Sequence, residues 1–389
     1  MAEEYYEWLR LPHDLQSAFF NEAEKESEIM SERILQVSGL LEEAAVLIKP
    51  HLRRLESGGR SYLVAAVDGS RSPLLSERLG VRYGVFSVGA VSVMGLDRKE
   101  EVLKAGVFKR RQALSRDLSK HLLDLIMTDA ERTLALEMLD KSDLVLIDGS
   151  FLGFLYHTLR IRSEDLSEHV KSLISDTFQK TLRLMESGRA IAVVKRSPSK
   201  AIGGYLVVRD GKADTPYTLM LDKFILSSTM PPKTIFYYED FLGTAHPISY
   251  YNAVASLSQR YTSVREIEQK AAKDVYAPFI RFNVDKETLG RLSRIQVKLS
   301  EGAPVCEIEY PREMPRERLE EWLGQPYFAN VGTGLPVALD LVDSLVSIPS
   351  RFTDEFVGEV EARTLARLNG NGAKTLKLFF SYLNPQKPV

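Results

Sequence analysis

Two apolar runs that both end in Asp-Gly-Ser constrain this chain more than any other feature. The first is Val64-Ala65-Ala66-Val67-Asp68-Gly69-Ser70, and the second is Leu144-Val145-Leu146-Ile147-Asp148-Gly149-Ser150. Four aliphatic residues in succession, without polar alternation, fit a strand covered on both faces. A carboxylate and a glycine turn then stand at its C-terminal end. Such a carboxylate is costly to bury unless something pairs with it, and a divalent cation is the usual partner. Two such ends predict a metal site assembled from distant parts of one sheet.

The elements between them follow from local pattern. Residues 82–94 are rich in Val and aromatics and read as a strand, Gly95-Leu96-Asp97-Arg98 as a turn, and 101–108 as a further strand. A long helical pattern fills 112–141. Ser163 is placed to cap a helix over 164–187, with Gly188 as its stop. The fifth apolar run, Ala190 to Val194, ends in Lys195-Arg196. Periodicity alone gives a mixed α/β sheet flanked by helices. The order strand, strand, strand, helix, strand, helix, strand resembles the RNase H-like fold. In that fold the first and fourth strands lie side by side and parallel, which would bring Asp68 and Asp148 to one sheet edge. Open α/β sheets place their sites at such carboxyl ends.

The flanking regions are read more coarsely. Residues 1–58 form an N-terminal helical arm: positions 3–33 carry nine acidic against three basic side chains, and Ile34, Val37, Leu41, Ala44 and Ile48 step by three and four up to Pro50. The arm packs on the main domain or offers a dimer or partner surface. The main domain, 59–389, divides into a core over 60–200, an insertion after the fifth strand at about 205–290, and a C-terminal part over 290–370. Within it, Arg281-Phe282-Asn283-Val284 and Val305-Cys306-Glu307-Ile308 are strand-like, and 315–323, 336–347 and 353–369 are helical. The aromatic tail Phe379-Phe380-Ser381-Tyr382-Leu383 docks on the body or on a partner.

Composition narrows the function classes. The single cysteine, Cys306, excludes an internal disulfide and a cysteine-based zinc site. No apolar run approaches the ~18–20 residues that span a bilayer, and the acidic N-terminus lacks the basic character of a targeting segment, so a cytoplasmic location is expected. No Gly-x-x-x-x-Gly-Lys-Ser/Thr loop is present, which removes a built-in P-loop motor. The formal charge of −2 excludes a uniformly basic surface, yet 104–120 holds Lys104, Lys109, Arg110, Arg111, Arg116 and Lys120 against Asp117 alone. That excess suits phosphate contacts. Tyr83 and Phe108 are candidates for base stacking, although core aromatics are commoner.

A metal pair needs a third carboxylate, and the helix before the second strand offers Asp129, Glu131 and Glu137. Spacing alone does not choose among them. The two Asp-Gly-Ser strands, the helical carboxylates between them, and the strand end Val193-Val194-Lys195-Arg196-Ser197 together resemble the NurA nuclease family, over about residues 60–370. The resemblance selects Glu131, seventeen residues before Asp148. It implies a metal-dependent DNA nuclease with a two-metal Mn²⁺ or Mg²⁺ site, in which Asp68 bridges the ions and Glu131, Asp148 and Asp343 complete the shells. One ion would activate water and the other would stabilise the leaving 3′-oxygen. Lys195 would neutralise the scissile phosphate. Lys109, Arg110, Arg111, Arg116 and Arg196 are the expected DNA contacts. The family further implies a homodimer that works beside a hexameric translocase of the HerA type in end processing during break repair.

This sequence departs from the family pattern twice. Leu335 stands where the family has tyrosine and Asp343 where it has histidine; no histidine follows His246. Asp343 still offers the oxygen donors that Mg²⁺ and Mn²⁺ accept, and Tyr327 is a candidate stand-in for the tyrosine. Two other readings compete. An actin-like ATPase or sugar kinase shares this core and uses Asp-Gly-Ser as a phosphate loop, with Val331-Gly332-Thr333-Gly334 as an adenosine motif, but a second copy of the core is lacking. A DNA-translocase subunit that has lost catalysis is the other.

Overall fold

The aliphatic run before Asp68 becomes the middle of a ten-stranded mixed sheet. The computed structural model describes residues 11–111, 119–161, 166–368 and 372–384. Its strands are β1 (Leu52–Arg54), β2 (Leu63–Arg71), β3 (Ser76–Glu77), β4 (Val81–Met94), β5 (Asp97–Arg111), β6 (Leu144–Asp148), β7 (Ala190–Val194), β8 (Thr234–Tyr237), β9 (Leu292–Lys298) and β10 (Cys306–Pro311). They lie in the order β1-β8-β9-β10-β7-β6-β2-β4, with β3 and β5 both pairing β4. β2, β6 and β7 are mutually parallel, and every other pairing is antiparallel. The fold is thus the expected α/β mixed sheet flanked by helices. Its first long strand lies directly beside the strand of the second Asp-Gly-Ser, with Val64 opposite Leu144 and Val67 opposite Ile147.

Side-chain alternation divides the three parallel strands between two cores. Ala65, Val67, Val145, Ile147, Ala190 and Ala192 face the larger one. It is covered by α2 (Ser119–Leu139), α3 (Gly153–Thr158), α4 (Glu168–Glu186), α5 (Ala201–Asp210), α6 (Asp222–Thr229), α7 (Tyr238–Leu242), α8 (Ile248–Leu257) and α9 (Val264–Phe282), and by the last turns of α1 (His13–Ile48). Val64, Ala66, Leu144, Leu146, Ile191 and Val193 face the smaller core, closed by α10 (Arg316–Leu323) and α11 (Val337–Val346). The C-terminal α12 (Phe352–Arg367) and α13 (Ala373–Phe380) pack with Val81 and Tyr83 at the start of β4.

Several local expectations need correction. β2 does not turn at Gly69: it runs to Arg71, with Gly69 opposite Val88 and Arg71 opposite Phe86. The turn occurs only at the second motif, where Gly149 has φ +82°. Residues 281–284 are not a strand. Ile267, Ala271, Val275 and Phe279 recur at helical spacing and are buried along α9, which Asn283 ends in the left-handed conformation. Ser163 lies outside the described residues, as does Arg116, and the cap of α4 is Ser167, whose Oγ accepts from Val170 N.

The arm and the tail behave differently. α1 buries Ala44 and Ile48, while its first turns extend away from the core. The aromatic tail docks on its own body: Leu79 N and Gly80 N donate to Ser381 O and Phe379 O, and the Arg78 guanidinium lies 3.6 Å from the Tyr382 ring centroid. Among the described residues, no helix is long and apolar enough to cross a membrane.

Candidate active site

Parity along the three parallel strands sets the site. Asp68 follows Val67 on β2, Asp148 ends β6, and Lys195 follows β7, so all three side chains point to the face that α11 covers. β2 and β6 are in register up to Val67 and Ile147, which puts the two aspartates level at adjacent strand ends. α11 supplies the fourth group. It comes close to the sheet over Gly89, where a Cβ would stand 2.6 Å from Val346 Cγ1, and Gly89 is the β4 partner of Asp68. Asp343, on the same helix, therefore reaches over Asp68.

The Lys195 ammonium is the centre of this cluster. Its Nζ lies 3.4 Å from Asp68 Oδ2, 3.3 Å from Asp148 Oδ2 and 3.3 Å from Asp343 Oδ1. Burial works against the charge on Lys195, but the carboxylates of Asp68, Asp148 and Asp343 outweigh it and raise its pKa. Asp68 is 3% exposed. Burial, then the neighbouring Asp148 carboxylate, push it up to about 9, partly offset by Lys195; the Asp343 carboxyl hydrogen-bonds it and adds to the rise. Gly69 N also donates to Asp68 Oδ1 at 2.7 Å. One ammonium facing three carboxylates leaves the cluster with excess negative charge, an electrostatic setting that favours a further cation.

Glu131 approaches from the opposite face. It sits on α2 above Gly69, whose missing side chain leaves room for the carboxylate. Burial, then the Asp148 and Asp124 carboxylates, raise its pKa to about 7 against the pull of Arg132. Arg132, itself buried, has Nη1 3.9 Å from Glu131 Oε2 and donates from Nη2 to Ser150 O at 3.2 Å. The other two helical carboxylates are engaged elsewhere: Asp129 pairs with Lys180 at 2.7 Å and Glu137 with Lys104 at 2.7 Å. Of the three carboxylates the sequence left open, Glu131 is the one aimed at the strand ends.

The remaining candidates separate clearly. Arg196 is exposed beside Lys195. Lys109, Arg110 and Arg111 lie where β4 and β5 continue past the end of β2 on the side of Asp68, and they line a groove with Tyr83, Phe379 and Phe380. Tyr83 and Phe108 are buried, 8% and 7% exposed, which removes them as stacking surfaces; Tyr83 packs edge-on against Phe356. Leu335 packs against the smaller core. Tyr327 lines a cavity with Tyr62 and Gly95 at the amino end of β2, the end opposite Asp68, so it does not replace a site tyrosine.

Sequence reasoning also missed residues around the site. Lys223 donates to Lys195 O at 3.0 Å. Glu309 accepts from Ser150 Oγ and Phe151 N, and Arg294 pairs with it. The alternating Glu307-Ile308-Glu309 reads as a half-exposed strand. Only the pairing with β9, unavailable to local pattern, buries these carboxylates against Arg294 and Gln296.

Asp68, Asp148, Glu131 and Asp343 bring only oxygen donors to these strand ends, a chemistry that would suit Mg²⁺ or Mn²⁺ and not a soft metal. Among the described residues no three Asp, Glu, His or Cys side chains are already closed to metal-binding distances. Three of the four carboxylates instead converge on the Lys195 ammonium, a cation in the place a metal would share.

The family model described as the NurA domain matches residues 62–348. The crystal structure of the NurA nuclease from Sulfolobus solfataricus is similar at a TM-score of 0.55 and 15% identity, covering 90% of this chain and 98% of that one. A further structure, described as NurA bound to dAMP and manganese, matches at a TM-score of 0.43 and 14% identity over 90% of this chain and 98% of its own. No curated protein sequence matches the chain. With a match to the domain model from the strand of Asp68 to the end of α11, the chain belongs to the NurA family.

Proposed function

We propose that this protein is a divalent-metal-dependent deoxyribonuclease that hydrolyses phosphodiester bonds. The observation that carries the reading is the convergence of Asp68, Asp148 and Asp343 on the Lys195 ammonium within 3.4 Å, at the carboxyl ends of parallel strands. Asp68, Asp148, Glu131 and Asp343 would hold Mn²⁺ or Mg²⁺. A pair of such ions, if held there, would supply a water of lowered pKa and positive charge for the oxygens of an in-line displacement.

The chain's own groups support the same chemistry. Without metal, burial and the Asp148 and Asp124 carboxylates hold the Glu131 pKa up to about 7 against the pull of Arg132, and a divalent cation would relieve that strained anion. Lys195 has a flexible stem and a compact charge, and it pairs with a phosphate oxygen once the carboxylates are neutralised by metal. Arg196 and the run Lys109, Arg110 and Arg111 give the DNA backbone a basic path on the side of the sheet where Asp68 lies.

On family grounds we further assign the enzyme to DNA end processing as a homodimer beside a hexameric translocase of the HerA type. The acidic arm and the projecting turns of α1 are the surface proposed for that contact. The test of the chemistry is a cleavage assay on single-stranded and duplex DNA with Mn²⁺ or Mg²⁺, with and without the translocase, wild type beside Asp68→Ala. Cleavage by wild type alone is expected. Equal cleavage by both proteins refutes the site, and no cleavage by either in any mixture refutes the activity.

A further inference from the structure

We propose that Glu309, braced by Arg294, is a positioning residue that clamps the loop after Asp148 and thereby fixes that aspartate in the site. For its catalytic consequence this rests on the nuclease reading.

The two Asp-Gly-Ser motifs are held in different ways. After Asp68 the chain stays in the sheet to Arg71, paired with β4, while its pairing with β6 ends at Val67, so the β4 ladder fixes that aspartate. After Asp148 the chain leaves the sheet at once, through Gly149 at φ +82°. One sheet-like bond follows, from Gly149 N to Val193 O at 2.9 Å. Two further donors of the loop turn to a single side-chain atom: Ser150 Oγ and Phe151 N donate to Glu309 Oε1 at 2.8 and 2.7 Å. The Arg132 guanidinium holds the carbonyl of the same Ser150, which ties the loop to the turn of α2 that carries Glu131.

Glu309 is rigidly placed for this. It lies in mid-strand on β10 between Ala192 of β7 and Arg294 of β9, and is 2% exposed. Its second oxygen accepts from Arg294 Nε at 2.8 Å and lies 2.7 Å from Nη2. Arg294 Nη1 donates to Glu307 at 2.9 Å, and Glu307 accepts from Gln296 Nε2 at 2.6 Å. A buried ion pair of this kind is weak evidence of stabilisation, because well-packed apolar residues often serve stability equally well. What an apolar residue cannot supply is the acceptor aimed at two consecutive donors of the Asp148 loop. Misplacement of a site group by about 1 Å is enough to slow a reaction about 100-fold, so the clamp has a functional consequence at Asp148.

The test compares wild type with Glu309→Gln, Ser150→Ala and Ser150→Thr. Four quantities are read: hydrogen exchange at the Phe151 amide without metal, Mn²⁺ affinity, and kcat and KM on DNA. In Glu309→Gln the amide at Phe151 is expected to exchange faster while the β2 amides keep their protection. Mn²⁺ affinity and kcat are each expected to fall by roughly 10–100-fold, the usual effect of losing a residue that orients a metal ligand, with KM unchanged. Ser150→Ala, whose side chain is only part-buried, should show a smaller change in the same direction even if Glu309→Gln folds poorly. Ser150→Thr keeps the hydroxyl and should restore wild-type behaviour.

A fall in melting temperature with unchanged Phe151 exchange and unchanged Mn²⁺ affinity would make Glu309 merely structural and overturn the proposal. A wild-type protein that neither binds Mn²⁺ nor cleaves DNA refutes the nuclease reading, and with it the catalytic consequence. Phe151 exchange then still decides the clamp, because that measurement needs neither metal nor DNA.

Discussion

The Glu131 carboxylate lies so close over Gly69 that a Cβ built on that glycine would collide with Glu131 Oε1 and stand 3.0 Å from Met127 Cγ. Glu131 Oε1 is the far end of a flexible side chain, whereas Met127 Cγ sits near its own backbone and has to give by a few tenths of an ångström. Gly69→Ala should therefore fold, with the new methyl group displacing Glu131 and not the strand. A loss of about 100-fold in kcat is expected from such a displacement. The effect should vanish in the Glu131→Ala background, because neighbouring sites that act through one group are not additive. Additive losses in the double variant would place the role of Gly69 elsewhere.

The apo protein should be destabilised by its own site as pH rises. Asp68 is pushed from an ordinary value of 3.8 up to about 9, first by burial and then by Asp148. Between those two values the folded state binds more protons at Asp68 than the unfolded state does, so stability falls with rising pH across that window. Asp68→Asn mimics the protonated form. Its melting temperature, measured without metal, should match wild type near pH 4 and exceed it by a margin that widens towards pH 9. A constant offset at all pH values would mean that ionisation of Asp68 does not carry the cost.

What could be read in the sequence divides along physical lines. The aliphatic runs before Asp68 and Asp148 need only local composition to declare themselves buried strands, and their pairing in the sheet agrees with the order of elements. The helical glutamate was legible only through the family spacing, since Asp129 and Glu137 look equivalent until their lysine partners, Lys180 and Lys104, are in place. The same limit hid Glu309. Its burial depends on β9 and β10 pairing across residues 292–311, and single-strand alternation cannot report which face is covered. The identical tripeptides 68–70 and 148–150 make the point most sharply: one continues as strand and one turns, a difference decided by β4 pairing along the first.

On the proposed reading, Lys195 and a metal would share the three carboxylates that face the Lys195 ammonium. Replacing it by methionine removes the counter-charge and leaves Asp68, Asp148 and Asp343 facing one another. Lys195→Met should therefore lower the melting temperature of the apo protein and tighten Mn²⁺ binding, which relieves the repulsion. Turnover should still fall, since the lysine is also the group assigned to the phosphate. A titration of Mn²⁺ alongside kcat checks this split. Weaker Mn²⁺ binding in Lys195→Met would remove the lysine from the metal site.

Asp343 is the most exposed of the four carboxylates, with 65% of its side chain open to solvent, and it stands on α11 where the family resemblance places a histidine. An oxygen donor serves Mg²⁺ and Mn²⁺ alike, whereas imidazole is a poor ligand for Mg²⁺ and an acceptable one for Mn²⁺. Asp343→His should therefore keep most of the Mn²⁺-supported cleavage and lose roughly tenfold or more with Mg²⁺, a ratio on the order of the second-sphere and ligand effects seen at metal sites. Asp343→Asn, which keeps an oxygen, should lower activity with both metals by similar factors. The measurement is the ratio of initial rates in the two metals for wild type and each variant. A Mg²⁺-to-Mn²⁺ ratio unchanged by Asp343→His would show that this side chain pairs with Lys195 without reaching the metal.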